Sequence, residues 1–482
     1  MFVALVGVTV FRPRTPRAVE APTASSSAPP VAADSVASAA SAPAPLASAS
    51  GSAAASTSAA TAAPGMPRPL RVVGLGWDVL APGLIANQGR DAGRDGDFKS
   101  AGIDVAFTPA DSMTSVESAL ARGGADAQGA DIAVVPLPAF VAGYERLRAL
   151  DPRVFYVVGW SRGREAMTAG KTSLQSIPAT GNVTVAGEPA STATYLALSI
   201  LDLVGVPSSR VELVAPDKAG QASFIAWEKA AAASEQPKGA VVVTTADATR
   251  LVPIVAIAPS GWTTDKQEPL RAWVRGWVAG QHKVRGDAAG SARELGAMAS
   301  APDPLVIVQR LGLLSWATLD DNARMAGLSG RGAVTTEALF QQAWRLWRDT
   351  GVLTTPPPDA AVTEPAIVAS LVRSGWSPEQ PASGNASRHA NQGEGPVLLS
   401  IALPAGKLDE DVLVGKAGWV AGLFDRSTIR LAVRGPRGVD TAKTKAVVET
   451  VIDRFDVAPE RVSEASKVVG NGAASIEVLG VR

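Results

Sequence analysis

Arg162 and Arg164 stand two residues apart, just beyond a run from Val154 to Trp160 that reads as a strand. A pair of guanidinium forks there would grip a carboxylate, sulfonate or phosphate at two points; the same pair also reads as a solvated surface feature. Ser191 and Thr192 open a strong helical pattern. Free backbone N–H groups and the helix dipole favour an anion at such a place, and the two residues equally read as a plain N-cap. Trp77 and Trp160 each end a predicted strand, so their indoles either sandwich a flat ligand or pack into the core. Asp111 would balance an amino group, or start a turn, or cap a helix.

Catalytic chemistry has little to work with. The chain has no cysteine and two histidines, His282 and His389. That removes disulfides, thiolate metal sites and a thiol nucleophile, and leaves almost none of the usual acid–base and metal ligands. His282 lies between Gln281 and Lys283, and His389 in a Gly/Asn/Ser-rich stretch. Gly74-Leu75-Gly76 is followed by Trp77-Asp78 and lacks the third glycine of a dinucleotide fingerprint. No catalytic residue, metal or cofactor is expected. Lys plus Arg total 45, as do Asp plus Glu, and a chain with no basic surplus is not built for nucleic acid. The composition tilts toward a binding protein.

The elements that must position these residues alternate between strand and helix. Strands are expected at Leu70 to Trp77, Ile103 to Phe107, Ala130 to Pro136 and Val154 to Trp160, with helices from Ser115 to Ala121 and Phe140 to Leu150. The alternation restarts with strands at Asn182 to Ala186, Val211 to Val214, Ala240 to Thr244 and Ile254 to Ala258, and helices at Ser191 to Val204 and Ala219 to Ala233. Helices then dominate, at Leu270 to His282, Pro304 to Leu314, Thr336 to Trp347 and Ala366 to Arg373. Trp273, Trp277, Trp344 and Trp347 fall at helical spacing and read as core. An α/β chain in this order forms parallel or mixed sheets covered on both faces. Two crossovers, near 162–180 and 248–252, would join two lobes about a cleft.

The 482 residues suggest about three domains. Met1 to Phe11 is almost wholly apolar and is followed by Arg12, Arg14 and Arg17. Residues 21–65 are nearly all Ala, Ser, Pro and Thr, with Asp34 the one charged residue, a composition too poor in large apolar groups to fold. The expected layout is a partial signal or anchor segment at 1–20, a disordered linker at 21–67, the first part of lobe 1 at 68–161, lobe 2 at 162–250, a helical completion of lobe 1 at 251–377, a linker at 378–395 and a C-terminal module at 396–482.

Ala130-Asp131-Ile132-Ala133-Val134-Val135-Pro136 before a helix, Gly187-Glu188-Pro189-Ala190-Ser191-Thr192 at the opening of the second-lobe helix, Val241 to Asp247 with its return strand, and the Trp-rich helix at Leu270 to Gly280 together resemble bacterial solute-binding proteins of ABC transporters. The branch is the one similar to aliphatic-sulfonate, nitrate and thiamine-precursor binders. The resemblance covers about 310 residues, and the order of elements carries it. It implies a two-lobed periplasmic-binding-protein type II fold with a ligand held between lobes. It also implies contacts on loops after strands and at helix starts: Gly76-Trp77, Asp111-Ser112, Pro136-Leu137-Pro138, Trp160-Ser161-Arg162, Ser191-Thr192 and Thr244-Thr245. The expected ligand-binding set is Trp77, Asp111, Ser112, Pro138, Trp160, Ser161, Arg162, Ser191, Thr192 and Thr245.

The C-terminal module is expected to be βαβαβ, with strands at Val397 to Leu403, Thr428 to Arg434 and Ser475 to Leu479 and helices at Leu408 to Leu423 and Thr441 to Phe455. That order, with Asp456 to Val462 after the second helix, is similar to OmpA-like peptidoglycan-binding domains. It departs where that family grips its ligand. The loop after the middle strand is Gly435-Pro436-Arg437-Gly438, without the family's aspartate, and Gly472-Ala473-Ala474 replaces its paired arginines. No cell-wall site is carried over, and a degenerate module used for packing or docking is expected. The whole reads as a membrane-tethered solute-binding protein of the periplasm or cell envelope. It would take a small anion, sulfonate, amino acid or pyrimidine-like ligand and serve a permease or sensor. An envelope scaffold that has lost its ligand is the alternative. An enzyme of thiamine-precursor type is a third, weakened by the missing histidine chemistry.

Overall fold

A computed structural model describes residues 66–91, 95–178, 180–228, 236–298, 303–376, 394–406 and 408–481. The expected 1–20 segment, the linker at 21–67 up to residue 65, the linker at 378–395 up to residue 393, and His389 lie outside the described residues.

The chain begins with β1 (Leu70–Leu75), β2 (Val105–Ala110), β3 (Ile132–Pro136) and β4 (Pro152–Ser161). It then passes to β5 (Glu165–Ala169), β6 (Val183–Ala186), β7 (Val211–Val214), β8 (Phe224–Glu228) and β9 (Val241–Thr244). It returns through β10 (Pro253–Pro259) and β11 (Leu314–Trp316). The first sheet runs β11-β4-β10-β3-β1-β2 and the second β7-β6-β8-β5-β9. β1 is parallel to β2 and β3, while β10, the strand that comes back from the second sheet, runs antiparallel to both β3 and β4. This is the two-lobed type II architecture that the resemblance implies.

The core follows from the two-residue period of a strand. Along β3, Ile132 and Val134 belong to one apolar cluster and Ala133 and Val135 to another. β1 divides likewise, with Leu70 and Val72 facing one side and Val73 the other. A sheet apolar on both faces needs helices on both. The helices Ala81–Asn87 and Gln267–Gly286 cover one face and pack unusually close: a Cβ at Gly280 would fall 1.9 Å from the carbonyl oxygen of Pro82. Trp273 and Trp277 stack there with centroids 4.8 Å apart, both fully buried. Met113–Arg122, Leu137–Leu147 and Thr336–Asp349 cover the other face, where Trp344 and Trp347 are buried.

Four local expectations need correction. No helix fills 219–233: Pro216–Gln221 is a single 3-10 segment and Phe224–Glu228 is β8, hydrogen-bonded between β6 and β5. A short apolar run cannot be told from a helix by period alone, and here two partner strands decide it. The helix expected through Leu314 stops at Gly312, because Leu314–Trp316 pairs with the end of β4. The crossover expected at 162–180 is short, since β5 already starts at Glu165. The helix expected from Ser115 starts at Met113 and is capped by Ser112.

The C-terminal module has β12 (Glu394–Leu403), β13 (Thr428–Gly435), β14 (Gly438–Val439), β15 (Val462–Glu464) and β16 (Ala474–Val481), with helices Glu410–Leu423 and Thr441–Phe455. Its sheet runs β12-β16-β13-β14, and β15 adds parallel to β13. The βαβαβ expectation therefore lacks two strands, β14 of two residues and β15 of three, both too short to show a period in the sequence. Among the described residues no helix is long and apolar enough to cross a membrane.

Because the Trp273–Trp277 stack fills the contact between sheet and long helix, Trp277→Ala should cost about 3–5 kcal/mol. The check is a lower urea midpoint of unfolding; an unchanged midpoint would show that the stack does not support the lobe.

Candidate functional site

The two lobes are joined by two connections, one from β4 to β5 through Arg162-Gly163-Arg164 and one from β9 to β10 through Thr245 to Val252. Beside them a cavity of about 280 Å³ opens between the lobes. Gly76 and Asp78, after β1, and Ala110 and Asp111, at the end of β2, supply its first wall. Arg164 and Glu228 enter from the second lobe, and Arg310 and Leu313 from the Pro304–Gly312 helix and its end. Ligands of open α/β sheets bind at such strand ends. Gly76 has φ +91°, and a Cβ there would lie 2.7 Å from Asp78 Oδ1, so the turn that presents Asp78 requires glycine.

Asp78 is buried, and its carboxylate is paired with Arg164 across the lobes. Arg164 Nε, also buried, has no hydrogen-bond partner among the described residues. The guanidinium of Arg310 lies 5.8 Å from the centroid of the half-buried Trp77 ring, a cation–π placement that leaves its N–H edges available.

Next to the cavity stands a buried carboxylate. Glu165 is 1% exposed, and three hydroxyls converge on it. Ser161 Oγ donates to Oε2, Thr245 Oγ1 donates to Oε2 at 2.9 Å, and Thr192 Oγ1 donates to Oε1 at 2.9 Å. Thr192 also reaches Glu228 Oε1 at 3.2 Å, and Glu165 and Glu228 sit directly opposite each other on β5 and β8. Glu228 faces the cavity, and its carboxyl is pushed above the usual glutamate range by surrounding protein that displaces water and by the charge of Glu165. Ala190, one residue before the cap of the Thr192–Leu203 helix, has φ +64°, a strained conformation for alanine.

Of the ten residues expected from the sequence, the structure places Asp111 on the cavity wall and Trp77 beside it, under Arg310. Ser161, Thr192 and Thr245 come together, but on Glu165. Ser191 and Ser112 are N-caps, accepting from Thr194 N and Ser115 N. Arg162 is exposed on the first connection near Asp425 and Arg426 of the C-terminal module, outside the cavity lining, so Arg162 and Arg164 do not act as one fork. Trp160 is buried beneath the guanidinium of Arg250, whose Cζ is 3.7 Å from its ring centroid. Pro138 is buried too, its carbonyl accepting from Trp347 Nε1 at 3.0 Å.

The lobes also meet through side chains near Pro138. Trp347 lies 6.1 Å, ring to ring, from Tyr195 of the second lobe; Tyr195 donates to Gln342 at 3.1 Å, and Arg345 pairs with Asp202 at 2.7 Å. Asp78, Glu165, Glu228 and Arg310 are the site groups that the sequence reading missed. Glu228 lay inside the supposed 219–233 helix. Glu165 carried a signal, a lone acid within the apolar Ala166-Met167 strand start.

No protein-family profile and no curated protein matches the chain. Solved structures similar to it include the ligand-binding component of an ABC-type import system from Staphylococcus aureus with zinc bound, at 12% identity over 63% of this chain and 98% of that one, TM-score 0.43. Another is the periplasmic aliphatic sulphonate binding protein from Escherichia coli, at 13% identity over 60% of this chain and 95% of that one, TM-score 0.43. A third is the periplasmic nitrate-binding protein from Synechocystis, at 12% identity over 63% of this chain and 85% of that one, TM-score 0.41.

Since Glu228 holds its proton to higher pH when folded, the folded state binds more protons than the unfolded state just above the ordinary glutamate pKa. Stability contributed by this group therefore falls as pH rises through that window. Glu228→Gln should remove the fall and leave the variant more stable than the parent at neutral pH, with the difference vanishing in acid. Parallel melting curves across pH check this; identical pH profiles would sink it.

Proposed function

We propose that this chain is an extracytoplasmic solute-binding protein that captures a small polar solute between its lobes and presents it to a membrane permease. The observation that carries the reading is the interlobe cavity at the strand ends, with charged groups of both signs on its wall. Residues 1–20 would hold the protein at the membrane, and 21–67 would act as the spacer.

The solute is zwitterionic, of the size and charge of an amino acid. Arg310 suits a carboxylate, and Glu228 and Asp111 suit an ammonium group. A purely anionic ligand has less support: Arg164 is already committed to Asp78, and Arg162 lies outside the lining. Mixed charged groups fix orientation by binding and supply no nucleophile poised against a base. A second reading, a scaffold that no longer takes a solute, is favoured by the Trp347–Tyr195–Pro138 packing, which occupies one flank of the lobe interface with side chains.

Thermal unfolding against amino acids, sulfonates, nitrate, bicarbonate, phosphate and pyrimidines separates the readings. A solute at a hundred times its dissociation constant stabilises by about 2.7 kcal/mol, a rise of several degrees. Amino acids should give the rise, and Arg310→Ala should abolish it. A flat panel on folded protein would favour the scaffold, and a response to sulfonates or nitrate alone would overturn the zwitterion.

A further inference from the structure

Two connections carry all relative movement of the lobes, because a hinged pair opens by changing φ and ψ at the few residues that join them. The second connection is gripped by the C-terminal module. The backbone N–H of Arg250 donates to the carbonyl of Leu423 at 3.1 Å. Its Nε donates to Asp425 Oδ2 at 2.7 Å, and Thr249 Oγ1 donates to Asp425 Oδ1. The same guanidinium reaches Asp321 of the first lobe at 3.1 Å and covers Trp160, near the end of β4 just before the first connection.

The grip is built on a fixed base. Asp425 sits on the turn that follows the Glu410–Leu423 helix, and Arg461 ties that turn down by donating to the carbonyls of Ala421 and Phe424, both at 2.8 Å, and of Ser427 at 3.3 Å. The helix itself rests on the first lobe so closely that a Cβ at Gly422 would lie 2.6 Å from Val334 Cγ2. Further along it, Lys416 is near enough to Asp202 of the second lobe to feel its charge. One module thus contacts the first lobe and the second connection, and reaches both the first connection and the second lobe electrostatically.

We infer that the C-terminal module is a strap on the hinge, and that its Asp425 clip on Thr249 and Arg250 sets how readily the lobes open. Opening must either break the clip or drag the module with the connection. By linkage, whatever draws the module off the hinge favours opening, and whatever closes the cleft tightens the docking. A charged clip holds the joint: removing one partner leaves the other unpaired at a partly covered site, where it costs more than at a surface pair. The strap stands whether or not the cleft takes a solute.

The absence of cysteine makes the test direct. Ser118→Cys on the first lobe and Lys218→Cys on the second, both exposed, would carry spin labels in the full chain. Asp425→Asn, which keeps shape and loses charge, should add a longer-distance population and raise the open-to-closed ratio about tenfold. Thr249→Val should shift it the same way by less. Asp456→Asn, at the exposed Arg324 pair of 3.5 Å, should leave the distances as they were. A folded Asp425→Asn protein with the parent's distance distribution would overturn the strap. If that variant fails to fold, Thr249→Val decides alone, and an unchanged distribution there overturns it equally.

Discussion

A carboxylate buried where two lobes meet has to be hydrogen-bonded from all sides, or folding would not tolerate its charge. Glu165 is that group, and its three donors come from three different parts of the chain. Ser161 ends β4, Thr245 begins the second connection, and Thr192 opens the second-lobe helix. Satisfying one side chain therefore fixes both connections and one helix terminus relative to each other. The Thr245 hydroxyl also accepts from Gly163 N at 2.8 Å, and Thr245 N donates to the Glu165 carbonyl at 3.1 Å. The first and second connections are in effect laced together at this point. The cavity wall beyond it, with Arg164 on one neighbour of Glu165 and Glu228 opposite, inherits its geometry from the lacing.

Arg250 plays the matching part on the C-terminal side of the same joint. Its charge is met by Asp425 and Asp321, and its flat face lies on Trp160. A lysine would supply one point charge there, whereas the planar guanidinium serves two carboxylates and a ring at once. Between Glu165 and Arg250 the hinge is held by charged groups on both sides, while Ala248, Leu251 and Val252 of the second connection are buried in the apolar core. On the other flank of the lobe interface the Trp347–Tyr195 ring contact is accompanied by the Tyr195–Gln342 hydrogen bond and the Arg345–Asp202 pair.

The parts legible in the sequence were those with a strong local period. The buried strands β1, β3 and β4, the Trp-striped helices and the order of elements all announce themselves through runs of apolar residues at spacings of two or of three and four. β8 and β11 did not, because each is short and owes its existence to partner strands distant in the chain. The site was only partly legible for a related reason. Strand ends and helix starts identify loops, but not where their side chains turn. Ser161, Thr192 and Thr245 were visible as polar residues at such places; that they point to one another through Glu165 depends on the pairing of β5 with β8, which no local pattern encodes. Arg162 and Arg164 look equivalent in the sequence, yet Gly163 at φ +84° turns the chain between them and sends one to Asp78 and the other toward the C-terminal module.

The charges around the cavity do not close among themselves, and the imbalance has a direction. Asp78 and Arg164 cancel, and Glu165 is served by hydroxyls. Glu228 is left with one shared hydroxyl and an acid neighbour, Asp111 with open cavity, and Arg310 with the face of an indole. A solute bearing only negative charge would answer Arg310 and add to the repulsion already felt by Glu228. A solute bearing only positive charge would answer the two acids and leave Arg310 without an acceptor. A molecule with both charges, separated by a few bonds, as proposed above, would answer all of them while carrying no net charge into a partly dehydrated space, where an uncompensated charge is most costly. The arrangement of opposite charges across the cavity arises from the way β5 and β8 set Glu228 against Glu165 on one side while the Pro304–Gly312 helix brings Arg310 to the other.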